Sequence, residues 1–177
     1  MKIIFLDVDG VLNCRDSKSK CGGFIGIDND KVKRLKMIVD ATDARIVLVS
    51  SWKSGWDYQD RESQDMCANY LDKKLAREHL CIQSKTDDNG ENRGAGIVKY
   101  LAKWRDIDKW IVLDDDVFPD YEENGIMPHL VKTTFYGDMN TGGLQDIHVD
   151  AAIWLLTYEP RVSATFSDGK RDYCASR

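Results

Sequence analysis

Residues 2–13 read Lys2-Ile3-Ile4-Phe5-Leu6-Asp7-Val8-Asp9-Gly10-Val11-Leu12-Asn13, and this stretch decides the fold. The apolar run Ile3 to Leu6 has the length and continuity of a strand buried on both faces, the kind a parallel sheet requires. It ends at Asp7, and a single residue, Val8, separates that acid from Asp9 and Gly10. Two carboxylates one residue apart beyond a buried strand are costly for a core. They are useful for chemistry, because they concentrate negative charge where a divalent cation could be held. One of them could attack phosphorus while the other handles protons. A calcium loop of the EF-hand kind starting at Asp7 would need Gly at its sixth position and Glu at its twelfth. Leu12 and Lys18 stand there instead, and a strand rather than a helix leads in. A merely solvated acidic turn survives only if nothing downstream answers the motif.

Further along, apolar periodicity alternates in type. Residues 14–26 are polar and contain Gly22 and Gly23, which predicts a flap or hairpin. Asp28 or Asp30 can cap a helix that repeats Val32, Leu35, Ile38 and Val39 on one face. Ile46 to Val49 reads as a second buried strand, residues 57–78 as a charged helix, and Leu80 to Gln83 as a short third strand. A polar loop from Thr86 to Arg93 includes Asn89-Gly90. A helix near 94–105 carries Ile97, Leu101 and Trp104, and Trp110 to Leu113 is a fourth strand. Leu130-Val131 opens a fifth, and residues 144–157 form a last amphipathic helix. Strands separated by helices imply right-handed crossovers. The expected class is therefore α/β, a three-layer sandwich around a mainly parallel central sheet. One domain is expected over residues 1–157, followed by a polar tail over 158–177 whose basic residues include Arg161, Lys170, Arg171 and Arg177.

Composition narrows the partners. At 177 residues, with 31% charged and 42% hydrophobic side chains, the chain is long enough for one globular core. A formal charge of −5 argues against a general nucleic-acid coat and leaves room only for a local basic patch. No segment approaches the ~18 apolar residues of a membrane span, so no membrane partner is expected. Five cysteines (Cys14, Cys21, Cys67, Cys81 and Cys174) form no CxxC pair. The first strand follows Met1 almost at once, without space for a signal peptide, so reduced thiols and a cytoplasmic location are expected. The histidines His79, His129 and His148 show no zinc spacing.

Ligands of open parallel sheets bind beyond the carboxyl ends of the strands. The first strand brings Asp7 and Asp9 to that edge. The second ends in Ser50-Ser51, and the fourth in Asp114-Asp115-Asp116. Between them, Arg93 opens a helix that can lean over the edge. A serine there is commonly a helix cap, and three aspartates in a row are commonly a solvated turn. In this order, however, the pieces supply carboxylates for a cation, donors for phosphate oxygens and a nucleophile.

The succession DVDGVLN, IVLVSS, a basic residue opening a helix, and IVLDDD resembles the haloacid dehalogenase-like (HAD) phosphatase superfamily. The motifs extend from about Lys2 to Asp116. The stretch Val131-Lys132-Thr133, then Gly142-Gly143-Leu144 and a final helix, looks like small capless HAD domains of nucleic-acid repair. The resemblance implies a Rossmann-like core and a Mg²⁺ cofactor. It casts Asp7 as nucleophile forming an aspartyl-phosphate, and Asp9 as the acid that protonates the leaving oxygen and then the base that deprotonates water. Ser50 would bond the phosphoryl group, and Arg93 would add positive charge where the family more often has Lys. Lys99 and Lys85 are rivals for that basic role. Mg²⁺ would be held by Asp7, by the Asp9 backbone carbonyl and by Asp115, with Asp114 in support.

Only about 13 residues, Asn13 to Ile25, follow the first motif before the next helix, which leaves no space for a large cap. An open site suits a large phosphorylated partner such as a nucleic-acid end. Trp52, Trp56 and Tyr58 could stack on bases there, with Lys53 and Arg61 on phosphates, or the tryptophans could pack the following helix onto the sheet. A small-molecule or nucleotide phosphatase of the same mechanism is the alternative. Outside this class stand a non-catalytic binding or scaffold domain and a signalling receiver domain. The receiver pattern of a lone Asp strand before a Thr/Ser and a Lys strand is missing. A dinucleotide fingerprint at Arg93-Gly94-Ala95-Gly96 lacks both its strand and its third glycine.

Overall fold

The computed structural model describes residues 1–57, 59–60, 63–88 and 92–158. Tyr58, Arg61, Asn89-Gly90 and the tail from 159 onward, all singled out in the sequence, lie outside the described residues.

At the centre lies β1 (Lys2–Leu6). It pairs in parallel with β4 (Arg45–Leu48) on one side and β6 (Lys109–Asp114) on the other, with Ile4 level with both Ile46 and Ile111. β5 (Ile82–Lys85) extends the sheet beyond β4, and β7 (Leu130–Lys132) extends it beyond β6. The resulting order is β5-β4-β1-β6-β7, parallel at every pairing. The four α-helices among the described residues are α1 (Asn29–Thr42), α2 (Met66–Ala76), α3 (Arg93–Lys103) and α4 (Asp146–Thr157).

Side-chain alternation along β1 explains the layering. Ile4 and Leu6 point to one face and join Leu35 and Ile38 of α1, Leu71 of α2 and Val149 of α4. Ile3 and Phe5 point to the other and join Val47, Val112, Tyr121 and Ile97 of α3. Each β1 side chain from Ile3 to Leu6 is at most 1% exposed, which is why the strand had to be apolar without interruption. The three-layer α/β expectation is met. No large cap occurs among the described residues. The segment after β1 forms a small antiparallel hairpin, β2 (Lys20–Cys21) and β3 (Phe24–Ile25), as its glycines predicted.

Two element boundaries differ from the expectation. The helix anticipated over 57–78 is α2 alone. Asp65 caps it by accepting from Ala68 N, and upstream Asp57 and Asp60 bond nearby backbone N–H groups, which favours turns over helix. The third strand begins at Ile82 rather than Leu80. His79 takes a left-handed φ of 57°, and Leu80 N bonds back to Leu75 O, so buried Leu80 closes the helix end. Cys21 lies beside Cys67, with sulfurs 3.5 Å apart, both as thiols.

Candidate active site

Asp7 continues β1 past its last paired residue, its N–H donating to Leu113 O, and only 5% of it is exposed. The chain then turns sharply. Val11 and Leu12 N–H groups return to Val8 O, and Gly10 sits at φ 73°. A Cβ on Gly10 would lie 2.2 Å from Asp115 Cγ, so glycine is required here by both backbone and space. Thr133, just past β7, donates to Gly10 O at 2.6 Å and ties the turn to the neighbouring strand end.

Asp7, Asp114 and Asp115 can each place a carboxylate oxygen within 4.8 Å of the others. Burial, then Asp114, push the Asp7 carboxyl far above the usual carboxylate range, while Arg93 and a hydrogen bond from Ser50 partly offset the rise. Burial and Asp114 also raise Asp115. Arg93 is the cation at this cluster. Its Nη1 lies 3.1 Å from Asp7 Oδ1 and 2.5 Å from Asp114 Oδ2. Burial opposes its charge, but Asp7 and Asp114 together more than offset that. Phe118 lies under the guanidinium, 4.0 Å from ring centroid to Cζ. Arg93 pairs with two of the three carboxylates, and an oxygen-only donor set of this kind fits a hard divalent cation such as Mg²⁺.

Asp114 is the most committed of the three. Oδ2 accepts from Arg93 and from the Tyr121 hydroxyl at 2.7 Å, and Oδ1 accepts from Asp116 N. Asp9 stands apart from the cluster. Its Oδ1 accepts from Asn13 Nδ2 at 2.8 Å and its Oδ2 from Trp52 Nε1 at 2.9 Å. Ser50 ends the β4 segment, and its Oγ accepts from Trp52 N at 3.4 Å. A short 3-10 turn, Ser51–Gly55, follows.

The rival lysines are engaged elsewhere. Lys99 pairs with exposed Asp87, and Lys85 donates to the carbonyls of Lys53 and Trp56. Lys53, considered for phosphate contact, is buried against Asp88 and Thr86. Trp56 is 2% exposed and belongs to the core, whereas Trp52 reaches the site through its N–H. The sequence reading passed over Asn13, Tyr121 and Phe118. It also passed over Asp120, which accepts from Gly94 N and Ala95 N and so caps the helix that carries Arg93. Asn13 sits inside the quoted motif and was within reach of closer reading. The others come from a loop with no local signature.

Above the carboxylates opens a cleft of about 870 Å³, lined by Asp9, Trp52, Phe24 of the hairpin, Lys132, Phe135 and Tyr136. Asp115 forms part of its wall, and buried Asp7 is linked to the cleft through the Asp7–Asp114–Asp115 cluster. Phe24 and Tyr136 are 66% and 79% exposed, so their rings face outward at the mouth rather than serving the core. No helix among the described residues is long and apolar enough to cross a membrane.

This arrangement has a carboxylate nucleophile candidate, a nearby guanidinium and a second carboxylate held by two N–H donors. Comparison with known protein families matches residues 3–141 to the HAD domain in Swiss Army Knife RNA repair proteins. No curated protein matches the chain. With most of the chain aligned and the parallel sheet and carboxylates in place, the chain belongs to the HAD domain family of Swiss Army Knife RNA repair proteins, a family of phosphatase-type hydrolases.

Proposed function

We propose that this chain is a Mg²⁺-dependent phosphomonoesterase acting through an aspartyl-phosphate on the 3′ or 5′ phosphate ends of RNA. The observation that carries the reaction type is the Asp7–Asp114–Asp115 cluster, with Arg93 against its two buried members and half-buried Asp115 in the wall of an open cleft. Arg93 Nε is buried without a hydrogen-bond partner among the described residues, a donor left over in a site rich in acceptors. A phosphoryl oxygen would satisfy it.

Asp7 attacks phosphorus, and the bond from phosphorus to the leaving oxygen breaks as Asp9 passes a proton to that oxygen. Asp9, now a carboxylate, takes a proton from water, and the water oxygen displaces the Asp7 carboxylate to release phosphate. Ser50 and Arg93 donate to the phosphoryl oxygens throughout. Asp7 and Asp115, with the Asp9 backbone carbonyl, would hold Mg²⁺, which when bound neutralises charge on the transferring group. Asp114, already bound by Arg93 and Tyr121, holds the guanidinium in place from behind.

Support for a nucleic-acid end comes from the open cleft, from its exposed aromatic rings and Lys132, and from the RNA repair proteins in which this domain family occurs. The test is Mg²⁺-dependent phosphate release from 3′- and 5′-phosphorylated oligoribonucleotides, mononucleotides, sugar phosphates and a phosphopeptide, with Asp7→Asn alongside. Release from oligonucleotide ends that the substitution abolishes is the expected result. Release from small molecules alone would keep the mechanism and discard the substrate. No Asp7-dependent release from any of them would sink the reading in favour of a binding domain.

A further inference from the structure

We infer that Trp52, together with Asn13, is a positioning residue for Asp9, aiming its carboxyl at the leaving oxygen in the cleft. The inference rests on the phosphatase reading above and assigns a role that the motif alone does not contain.

Four observations lead to it. Indole Nε1 can only donate, so its 2.9 Å contact with Asp9 Oδ2 has one possible sense. Asn13 is likewise fixed. Its Oδ1 accepts from Gly10 N at 2.8 Å, which leaves Nδ2 to donate to Asp9 Oδ1 at 2.8 Å. Each Asp9 oxygen therefore has its own N–H donor, and rotation of the carboxyl about its Cβ–Cγ bond would break both bonds. Finally, both donors are themselves held. Asn13 is completely buried, and Trp52 packs on the core while its backbone N–H bonds Ser50 Oγ.

The turn after β4 thus serves both acids of the DxD motif. The Ser50 hydroxyl favours the ionised form of Asp7, and two residues on Trp52 hydrogen-bonds Asp9. Asp9 is held off the Asp7–Asp114–Asp115 cluster and presented to the cleft it lines. A tryptophan serving only as a base-stacking platform would have no need to commit its N–H edge to a carboxylate.

An alkoxide leaving group needs a proton as its bond to phosphorus breaks, whereas p-nitrophenolate leaves without one. Substrates that differ in leaving group therefore separate proton delivery from general damage. Trp52→Phe keeps an aromatic side chain and removes the donor. Compared by kcat/KM, it is expected to lower turnover of an alkyl phosphate about 10- to 100-fold and of p-nitrophenyl phosphate by no more than about threefold. In an Asp9→Asn background the same substitution should cause no further loss on the alkyl phosphate, because the residue it acts through is already disabled. Equal losses on both substrates, or losses that simply multiply in the double variant, would overturn the inference.

A second readout does not depend on turnover. The ¹⁵N-indole signal of Trp52, identified by its disappearance in Trp52→Phe, should move when Asp9→Asn replaces its acceptor. A signal that stays put overturns the proposal even in an active enzyme. Wild-type protein with no Asp7-dependent turnover overturns the phosphatase reading, and with it the catalytic purpose of Trp52, while the indole signal still reports whether the bond forms.

Discussion

Arg93 Nη1 stands 3.1 Å from Asp7 Oδ1, with less than a tenth of either side chain exposed, and the same nitrogen bonds Asp114. One guanidinium thus pairs with two carboxylates, and at Asp7 it offsets part of the rise that burial causes. Removing it leaves those charges without a partner. Arg93→Met is expected to cost about 3–5 kcal/mol of stability, the usual penalty for breaking a buried pair from one side. Arg93→Lys should recover part of that loss, since a single nitrogen makes both contacts, but not the packing of the planar guanidinium on Phe118. Urea unfolding in chelator measures both. A Met variant as stable as the wild type would show that the acids are neutral in the folded protein.

The sign of the Asp7 shift gives a pH dependence. Its folded value, raised by burial and then by Asp114 to about 8, lies above the ordinary 3.8. Between those limits the folded state binds more protons than the unfolded one. Asp7 therefore contributes stability that is fully present below about 3.8 and is lost as pH rises towards 8. In chelator, the melting temperature of the wild type should fall relative to Asp7→Asn across that window. Added Mg²⁺ should raise it more at pH 8 than at pH 5, because a cation opposes the self-repulsion of ionised carboxylates. An Asp7→Asn variant whose melting temperature follows the wild type in parallel would contradict this account.

Gly10→Ala tests the turn that separates the two acids. The substitution forces a side chain onto a positive φ and drives its Cβ into the Asp115 side chain, which must shift to make space. A loss of at least about 1–2 kcal/mol is expected from the backbone alone, with Mg²⁺ affinity falling further as Asp115 is displaced. Thermal unfolding with and without Mg²⁺ separates the two effects. If affinity were unchanged, Asp115 would not be a ligand.

Much of this site was legible along the chain because its residues sit at strand ends, where a change from apolar to polar is visible. Leu6 to Asp7, Val49 to Ser50 and Leu113 to Asp114 each mark the edge where the sheet stops and the cleft begins. The parallel order followed from uninterrupted apolar runs such as Ile3 to Leu6. What stayed hidden was contact made across long separations. Nothing local to Tyr121 announces that its hydroxyl reaches Asp114, or that Asp120 caps a helix that starts 27 residues earlier at Arg93. Trp52 reads along the chain more as a core residue than as a cleft one, because only the fold brings its N–H to Asp9 across the gap between two strand ends. The α2 boundary was missed for a different reason. Asp57 and Asp60 are polar enough for a solvated helix, and their competition for backbone N–H groups is a matter of local geometry, not of periodicity.

The cleft mouth carries the remaining prediction. Phe24 projects from the hairpin and Tyr136 from the loop after β7, on elements far apart in sequence that line the same opening. Neither ring is needed by the core, so each can be truncated without undermining the fold. If nucleobases next to the phosphorylated end lie against these rings, Phe24→Ala and Tyr136→Ala should each raise KM for a phosphorylated oligoribonucleotide. Loss of one stacked base at about 1–3 kcal/mol corresponds to roughly 5- to 150-fold. Hydrolysis of p-nitrophenyl phosphate, which has no base to stack, should keep its wild-type kcat and KM. The effect of Trp52→Phe should depend on the leaving group, and the effects of these two substitutions on the length of the nucleic acid. Steady-state kinetics on a mononucleotide, a dinucleotide and a longer oligonucleotide would separate them. KM values for the longer substrates that do not change in either alanine variant would place the nucleic acid elsewhere on the surface.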